Sequence, residues 1–332
     1  MPSPFPNLPP DRRGEVRVLR HSSRALATNP WQDPADRDVY VHVPARWDGR
    51  PLPAVLLLAP YAGTGEKLLA RGLSEVSMAA RLDRLYADGH PEMLVVMPDV
   101  LTTLGGSQYV DSDGIGAYAT WLLAELLPWL DERFPISRWG VAGRSSGGFG
   151  ALHLALSAPD RFEAVVSHAG DLGFDACYHG DFPAATRAIH QAGGPRALID
   201  GFWRKEDPSH GEFAALSTLC LAAAYGAGPF PGQLPFDLDT GAVSIDVLRE
   251  WCRLDPVHRA DADLRALAGR RLVMLDAGDR DEHLLHLGAR RLSKRFSGLG
   301  IAHVHEEFSG GHRGTSYRWD VSLPRIAAAL SA

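Results

Sequence analysis

Several features that would place this chain in a common class are absent from its 332 residues. It has only three cysteines, Cys177, Cys220 and Cys252, with neither a C-x-x-C pair nor the spacing of a disulfide framework, so we expect reduced thiols. The 34 Lys and Arg against 40 Asp and Glu give a formal net charge of −6, which argues against nucleic acid or an anionic membrane as a partner. The sequence has neither an apolar run of membrane-spanning length nor a signal-peptide pattern, and we expect a soluble, cytoplasmic protein.

Apolar residues make up 45% of the chain, enough for a substantial core, and their pattern predicts alternating strands and helices. Residues 54–59 are a continuous apolar run, as expected for a strand that is covered on both faces of a parallel sheet. Further strands are predicted at 38–43, 92–97, 137–142, 163–168, 271–276 and 302–308, and helices at 74–88, 115–134, 149–156 and the C-terminus. The sequence therefore predicts an α/β fold with a doubly wound, mostly parallel sheet.

Two segments depart from this alternation. Residues 1–36, which begin with a proline-rich stretch, are predicted to be a partly disordered N-terminal extension of a catalytic domain at 37–332. Between about residues 173 and 256, Gly, Pro and aromatic residues mix with helical fragments. Because long excursions in compact domains tend to be functional, we interpret this insertion as a cap over a site. A surface elaboration or an oligomer contact, such as that of a homodimer, is the alternative.

The most informative motif is a G-x-S-x-G sequence, formed by Gly143, Arg144, Ser145, Ser146 and Gly147. It lies between a predicted strand and a predicted helix, which is the context of a nucleophile elbow, where a serine occupies a strained turn above the sheet. The two glycines lack the Cβ atoms that would collide in such a turn. A motif centred on Ser146 would put Arg144 at a glycine position, so Ser145 is the predicted nucleophile.

A nucleophilic serine needs a general base, and the base needs an acid that orients it; in this architecture the acid and then the histidine follow the serine along the chain. After the strand predicted at 271–276, Asp281 is the predicted acid, with Asp279 on the same loop as the alternative. After the strand predicted at 302–308, His312 follows two glycines and is the predicted base. Both loops lie at the carboxyl ends of strands, where open α/β sheets gather their sites.

The negative charge that develops on the carbonyl oxygen during acyl transfer requires two backbone N–H donors. Ser146, the residue after the nucleophile, is the first candidate, and the loop after the strand at 54–59 supplies the second. Pro60 has no N–H, so Tyr61 is the candidate donor in that loop. An ordinary glycine-rich turn is the alternative for this loop.

Two pairs of histidines raise the question of a metal. His283 and His286 stand three residues apart on a predicted helix, and His303 and His305 share one face of a predicted strand. Neither pair forms an established metal motif such as H-E-x-x-H. We therefore interpret these histidines as solvated or core side chains and predict no metal and no other cofactor.

These motifs together resemble the esterase family of α/β hydrolases that includes esterase D, enterochelin-type esterases, feruloyl esterases and mycolyltransferases. The likeness covers about residues 37–170 and 270–325. It rests on residues 143–152 around the elbow, on Met97-Pro98-Asp99 followed by residues 107–112, on residues 125–131, and on Gly310-Gly311-His312. The resemblance implies an α/β-hydrolase fold with a cap-like insertion, and it gives Ser145, Asp281 and His312 the triad roles of the family.

Six residues are candidates for contact with the substrate. The resemblance implies such a role for Tyr109, Asp111 and Ser112 in the loop after the fourth strand, and the other candidates are Arg144 beside the nucleophile and Asp171 and Trp203 further along the chain. For the loop residues, local structure and helix capping are the alternative. For Asp171 and Trp203 the alternative is packing in the core or the cap. The chain departs from the family at Ala59-Pro60, which stands where the family has His-Gly, and in the insertion, which has no match.

The sequence thus predicts a serine hydrolase that cleaves a small-molecule carboxylic ester through an acyl-enzyme. Acyl transfer on the same triad is one alternative. A non-catalytic binding module on a hydrolase fold is another, because a fold does not by itself imply a chemistry.

Overall fold

The protein, seen in a computed structural model that describes residues 8–70, 76–228, 230 and 233–332, is built on one eight-stranded sheet. The disorder predicted at the start of the chain falls partly on residues 1–7, and the helix predicted at 74–88 begins at 74–75; both stretches lie outside the described residues. The strands are β1 Glu15–Ser22, β2 Asp36–Val43, β3 Leu52–Leu58, β4 Leu94–Pro98, β5 Asp111–Ser112, β6 Gly116–Ala117, β7 Ile136–Arg144, β8 Ala164–His168, β9 Leu272–Gly278 and β10 Val304–Phe308.

The order of strands across the sheet is β1-β2-β4-β3-β7-β8-β9-β10. β1 pairs with β2 and β2 with β4 in antiparallel fashion, and every pairing from β4 to β10 is parallel. The short strands β5 and β6 form a separate antiparallel hairpin. This order confirms the predicted α/β fold with a mostly parallel sheet.

Helices follow most of the parallel strands. The α-helices are α1 Gly65–Leu69, α2 Met78–Ala87, α3 Tyr118–Thr120, α4 Leu127–Asp131, α5 Ser146–Ser157, α6 Phe174–Cys177, α7 Phe182–Ala192, α8 Pro195–Phe202, α9 His210–Tyr225, α10 Ile245–Cys252, α11 Asp261–Leu264, α12 Leu285–Gly298 and α13 Trp319–Ser331. A π-helical stretch at Trp121–Leu126 joins α3 to α4, and 3₁₀ turns lie at Pro10–Arg12, His179–Asp181, Arg265–Leu267 and Ser316–Arg318. Within the described residues, the helices all fall short of the length and apolar character that crossing a bilayer demands.

The two faces of the sheet bury different sets of side chains, because successive residues of a strand point in opposite directions. In β3, Leu56 and Leu58 belong to a large core that also includes α5, α12 and the insertion. Val55 and Leu57 belong to a smaller core formed with α2 and α13. All seven residues of β3 are buried, which explains its continuous apolar sequence.

The insertion packs on the larger core. It contains α6 to α10, and its longest helix, α9, begins with a capping box formed by Ser209 and Glu212. The ring of Phe149 in α5 contacts the rings of Phe174 and Tyr225 at centroid distances of 5.4 and 5.6 Å. The insertion therefore shares one hydrophobic core with the sheet.

Two boundaries differ from the sequence prediction. Residues 15–22, predicted to belong to the N-terminal extension, form β1 at the edge of the sheet. Seven of its eight residues are exposed or only partly buried, so the sequence lacks the strong apolar alternation of an inner strand. The long helix predicted at 115–134 starts later, at Tyr118, because β5 and β6 precede it.

Candidate active site

The G-x-S-x-G motif forms a sharp turn between β7 and α5. Ser145 has φ 57° and ψ −126°, a backbone conformation that residues with a Cβ rarely adopt. A Cβ on Gly143 would lie 2.0 Å from the carbonyl oxygen of Gly147, and a Cβ on Gly147 would lie 2.4 Å from that of Leu58. Both glycines are therefore required by close backbone contacts, as a nucleophile elbow demands.

His312 connects the serine to a buried acid. Its Nε2 lies 3.1 Å from Oγ of Ser145, and its Nδ1 lies 2.9 Å from Oδ2 of Asp281. Asp281 is 2% exposed, and its Oδ1 accepts hydrogen bonds from the N–H groups of His283 and Leu285. Burial acts to raise the pKa of Asp281, but its hydrogen bond and charge interaction with His312, together with those N–H donors, outweigh it and lower the pKa. The carboxylate thus stays ionised beside the imidazole.

The loop that carries His312 is held by the neighbours of both Asp281 and Ser145. The N–H of His312 donates to Oε2 of Glu282 at 2.7 Å, and its carbonyl accepts from the guanidinium of Arg144. Glu282 directly follows Asp281, and Arg144 directly precedes Ser145. A Cβ on Gly311 would lie 2.5 Å from the Glu282 carboxylate, so a larger residue there would displace this side chain from its present position.

The alternative acid, Asp279, has a different position. Its Oδ1 accepts a hydrogen bond from the N–H of Gly310 at 3.0 Å and pairs with Arg280 at 3.5 Å. Asp279 therefore connects the loop after β9 to the loop after β10, while Asp281 contacts His312.

One candidate oxyanion donor, Ser146, directly follows Ser145, and the other, Tyr61, lines the same cavity as Ser145. Ser146 is the first residue of α5, where N–H groups have no partner inside the helix. The first hydrogen bonds of this helix come from the N–H groups of Gly148 and Phe149, which both donate to the carbonyl of Ser145. In the loop after β3, the Tyr61 side chain donates to the carbonyl of Leu104 at 2.8 Å, which fixes the residue next to Pro60.

A cavity of about 360 Å³ opens over these groups. The sheet and its loops contribute Pro60, Tyr61, Lys67, Gln108, Arg144, Ser145, Asp171, His283, Leu285, His312 and Arg313, and the insertion contributes Cys177, Tyr178, Asp181, His210, Phe213, Ala214, Ser217 and Leu221. The insertion thus forms one wall of the cavity.

Two of the six predicted substrate contacts, Arg144 and Asp171, line this cavity. Oδ1 of Asp171 lies 3.4 Å from Oγ of Ser145, and its Oδ2 accepts a hydrogen bond from the hydroxyl of Tyr178 at 3.2 Å. Burial raises the pKa of Asp171 to about 6. Neither Tyr178 nor His283, whose ring meets that of His312 edge to face at 5.1 Å, was predicted to line a pocket, because nothing in the local sequence distinguishes them.

The other four predicted contacts are not among the described residues that line the cavity. The Tyr109 hydroxyl donates to the carbonyl of Ala59, and its ring fills the space against Gly150. Asp111 accepts hydrogen bonds from Thr120, Ser112 donates to the carbonyl of Ala223, and the indole of Trp203 donates to the carbonyl of Thr103. These side chains hold loops together, which corrects the expectation of substrate contact.

The predicted histidine pairs do not converge on a metal site within the described residues. His303 instead bonds Oγ of Ser293 at 2.9 Å. One other group, Cys252, Asp255 and His258, brings three potential ligand atoms within 4.8 Å of one another. However, Asp255 already accepts three backbone N–H groups, and a guanidinium nitrogen of Arg291 lies 3.1 Å from Nε2 of His258. The group is better described as a hydrogen-bonded junction.

A second Ser–His–Asp arrangement lies deeper in the molecule. Nε2 of His168 is 2.8 Å from Oγ of Ser322, and its Nδ1 is 2.7 Å from Oδ1 of Asp276. Ser322 is 0% exposed, and Arg318 donates to the other carboxylate oxygen of Asp276 at 2.9 Å. This set ties β8 and β9 to α13.

Comparison with known proteins identifies the family. A family model described as "Putative esterase" matches residues 34–330, and the chain therefore belongs to this esterase family. Esterase Rv1288 of Mycobacterium tuberculosis is 26% identical over 257 residues, which cover 72% of this chain and 45% of that protein. The chain thus spans about half the length of the curated relatives that it matches.

Solved structures share the fold. An S-formylglutathione hydrolase from Agrobacterium tumefaciens superimposes with a TM-score of 0.59 at 19% identity, covering 98% of each chain. FphF, a fluorophosphonate-binding serine hydrolase from Staphylococcus aureus, gives 0.58 at 16% identity, covering 96% of this chain and 99% of that one. A ferulic acid esterase from Anaeromyces mucronatus gives 0.56 at 13% identity, covering 100% and 95%. These similarities confirm the α/β-hydrolase fold.

Proposed function

We propose that this member of the esterase family is a cofactor-independent serine esterase that hydrolyses small carboxylic esters through an acyl-enzyme. The observation that carries the proposal is the unbroken chain of contacts from Ser145 through His312 to Asp281, at a strained turn that opens into a cavity. The strained backbone supports a chemical role, because such conformations cost free energy and persist where function needs them.

In the first half of the reaction, Oγ of Ser145 attacks the ester carbonyl while Nε2 of His312 takes its proton. Asp281 keeps Nδ1 of His312 protonated and stabilises the imidazolium that forms. The N–H groups of Ser146 and Tyr61 hold the negative carbonyl oxygen. When the tetrahedral intermediate collapses, His312 returns the proton to the leaving alcohol.

In the second half, water replaces the alcohol. His312 takes a proton from the water as it attacks the acyl group on Ser145. The bond between the acyl carbon and Oγ of Ser145 then breaks, His312 returns the proton to Oγ, and the acid is released. No step uses a metal or an organic cofactor, so we expect turnover to be unaffected by a chelator.

The test is Ser145→Ala assayed on p-nitrophenyl acetate, butyrate and octanoate, with and without chelator. We expect kcat to fall about 10⁶-fold, as when the nucleophile of a serine triad is removed, with an unchanged melting temperature. A fluorophosphonate probe should label the wild type and not the variant. Full activity in Ser145→Ala would refute the assignment.

Acyl transfer on the same triad is favoured by one observation, the wall that the insertion places over the cavity, since excluding water would let an alcohol compete. Added alcohols would then speed the release of p-nitrophenol and yield new esters, detectable by mass spectrometry.

A further inference from the structure

The proposed mechanism assigns no role to Asp171, which lies beside the nucleophile. Asp171 lies just after β8, is 8% exposed, and directs Oδ1 at the hydroxyl of Ser145 from 3.4 Å. Its other oxygen is held by Tyr178 from the start of the insertion. A carboxylate in this position must be close to whatever is attached to the scissile carbonyl.

The serine hydroxyl cannot satisfy both of its neighbours. It has a single proton, and that proton passes to His312 when the serine attacks. Oδ1 of Asp171 then faces the cavity as a buried acceptor without a donor. A buried carboxylate oxygen that loses its hydrogen-bond partner costs free energy, so a substrate that supplies a donor there is favoured over one that supplies an apolar group.

The charges around the cavity indicate which chemical group of the substrate donates to Asp171. Lys67, Arg144 and Arg313 line the same cavity and outnumber its two carboxylates, Asp171 and Asp181, so the lining disfavours a substrate that carries a positive charge. A hydroxyl group donates to Asp171 without meeting this repulsion.

We infer that Asp171 is a specificity-determining residue that accepts a hydrogen bond from a hydroxyl group of the substrate next to the scissile ester. The inference rests on the proposed esterase function and names its substrate class, which is esters of hydroxy acids or of polyhydroxylated alcohols. Tyr178 positions the carboxylate for this contact.

The test compares substrates of nearly equal shape. On the acyl side, p-nitrophenyl 3-hydroxybutyrate is compared with p-nitrophenyl 3-methylbutyrate; on the alcohol side, 2-hydroxyethyl butyrate is compared with propyl butyrate. We expect the wild type to prefer the hydroxylated member of at least one pair by about 10- to 100-fold in kcat/KM, the range of a hydrogen bond to a charged group. The responsive pair identifies the side on which the hydroxyl lies.

Asp171→Leu, which replaces the carboxylate with an apolar side chain of similar size, should abolish or reverse that preference. Asp181→Leu is the matched control: its carboxylate lines the same cavity but is partly exposed, so water still solvates it and the preference should stay. Tyr178→Phe is a milder change in case Asp171→Leu does not fold. It should reduce the preference by about threefold, because it leaves the carboxylate in place and removes only the hydrogen bond that positions it.

The outcomes separate this inference from the proposed function. Equal rates on both members of both pairs, or an equal loss on all esters in Asp171→Leu, would overturn the role of Asp171 while Ser145 still reacts with the fluorophosphonate. A wild type that neither reacts with the probe nor hydrolyses any ester would refute the esterase function itself.

Discussion

Two Ser–His–Asp sets in this molecule have almost the same distances and opposite surroundings. In the first, His312 joins Ser145 and Asp281 at 3.1 and 2.9 Å. In the second, His168 joins Ser322 and Asp276 at 2.8 and 2.7 Å, so the buried set has the shorter hydrogen bonds. Distance between side chains therefore does not by itself identify a catalytic triad.

The backbone around each serine makes the difference. Ser145 precedes a helix, where the next N–H is available to an oxyanion, and it opens into a cavity. Ser322 lies within α13, where N–H groups bond to carbonyls of the preceding turn, and it is fully buried. We call the first the accessible set and the second the buried set, and we expect the first to serve chemistry and the second to serve stability.

The strongest test of this comparison replaces the aspartate of each set with asparagine, in the variants Asp281→Asn and Asp276→Asn. Asp281→Asn should lower kcat by about 10⁴-fold, because the amide favours the wrong tautomer of His312, with a smaller loss of stability than the corresponding change in the buried set. Measuring kcat and the urea midpoint of both asparagine variants checks the contrast.

Asp276→Asn should have the opposite profile. It removes one of the two carboxylates that pair with the largely buried Arg318 and leaves Glu306 as the other, so we expect a loss of about 3 kcal/mol in the free energy of unfolding, the lower end of the range for a broken buried ion pair. The folded fraction should keep a kcat within a few-fold of the wild type. A large loss of kcat in Asp276→Asn at unchanged stability would mean that the buried set takes part in the reaction.

The accessible set was predictable from sequence because its motif is local. The glycines around Ser145 and the order of Asp281 and His312 after two strands can be read along the chain. The choice of Asp281 over Asp279 depended on which side chain of one loop turns toward the histidine, and the structure supplies that.

The buried set and the orientation of Tyr109 could not be predicted from sequence, and the physical reason is the same for both. Ser322 lies 154 residues beyond His168, and no motif connects them. Tyr109, a residue of the loop after β4, turns its side chain to Ala59 and not to the cavity, a direction set by packing against Gly150. Only the assembled tertiary structure determines such orientations.

A smaller effect on the free energy of unfolding is expected from Asp171, the carboxylate beside Ser145 of the accessible set. The pKa of Asp171 is raised to about 6 from 3.8 by burial, so the folded protein binds this proton more tightly than the unfolded chain. Its ionisation therefore destabilises the fold progressively between about pH 4 and pH 6, and fully above pH 6. Asp171→Asn should be more stable than the wild type at pH 8 by up to about 3 kcal/mol.

This difference should shrink as the pH falls from 6 to 4, which urea unfolding at pH 8, 6 and 4 would show. The pKa of Asp281 is lowered, so Asp281→Asn should show the reverse sign, with the wild type losing its advantage as the pH falls. A pH-independent gain in Asp171→Asn would mean that relief of packing, and not of charge, is responsible.

The smallest expected effect concerns Glu282, which contacts the backbone of His312 in the accessible set. The backbone N–H of His312 donates a hydrogen bond to the Glu282 carboxylate. Glu282 therefore positions the imidazole without touching a substrate. Glu282→Ala should lower kcat about tenfold with KM and melting temperature nearly unchanged, since one charge-assisted hydrogen bond is lost and the loop can shift. Glu282→Gln retains an acceptor and should restore most of kcat. Equal losses in both variants would show that the charge of Glu282, and not its hydrogen bond to the loop, acts on His312.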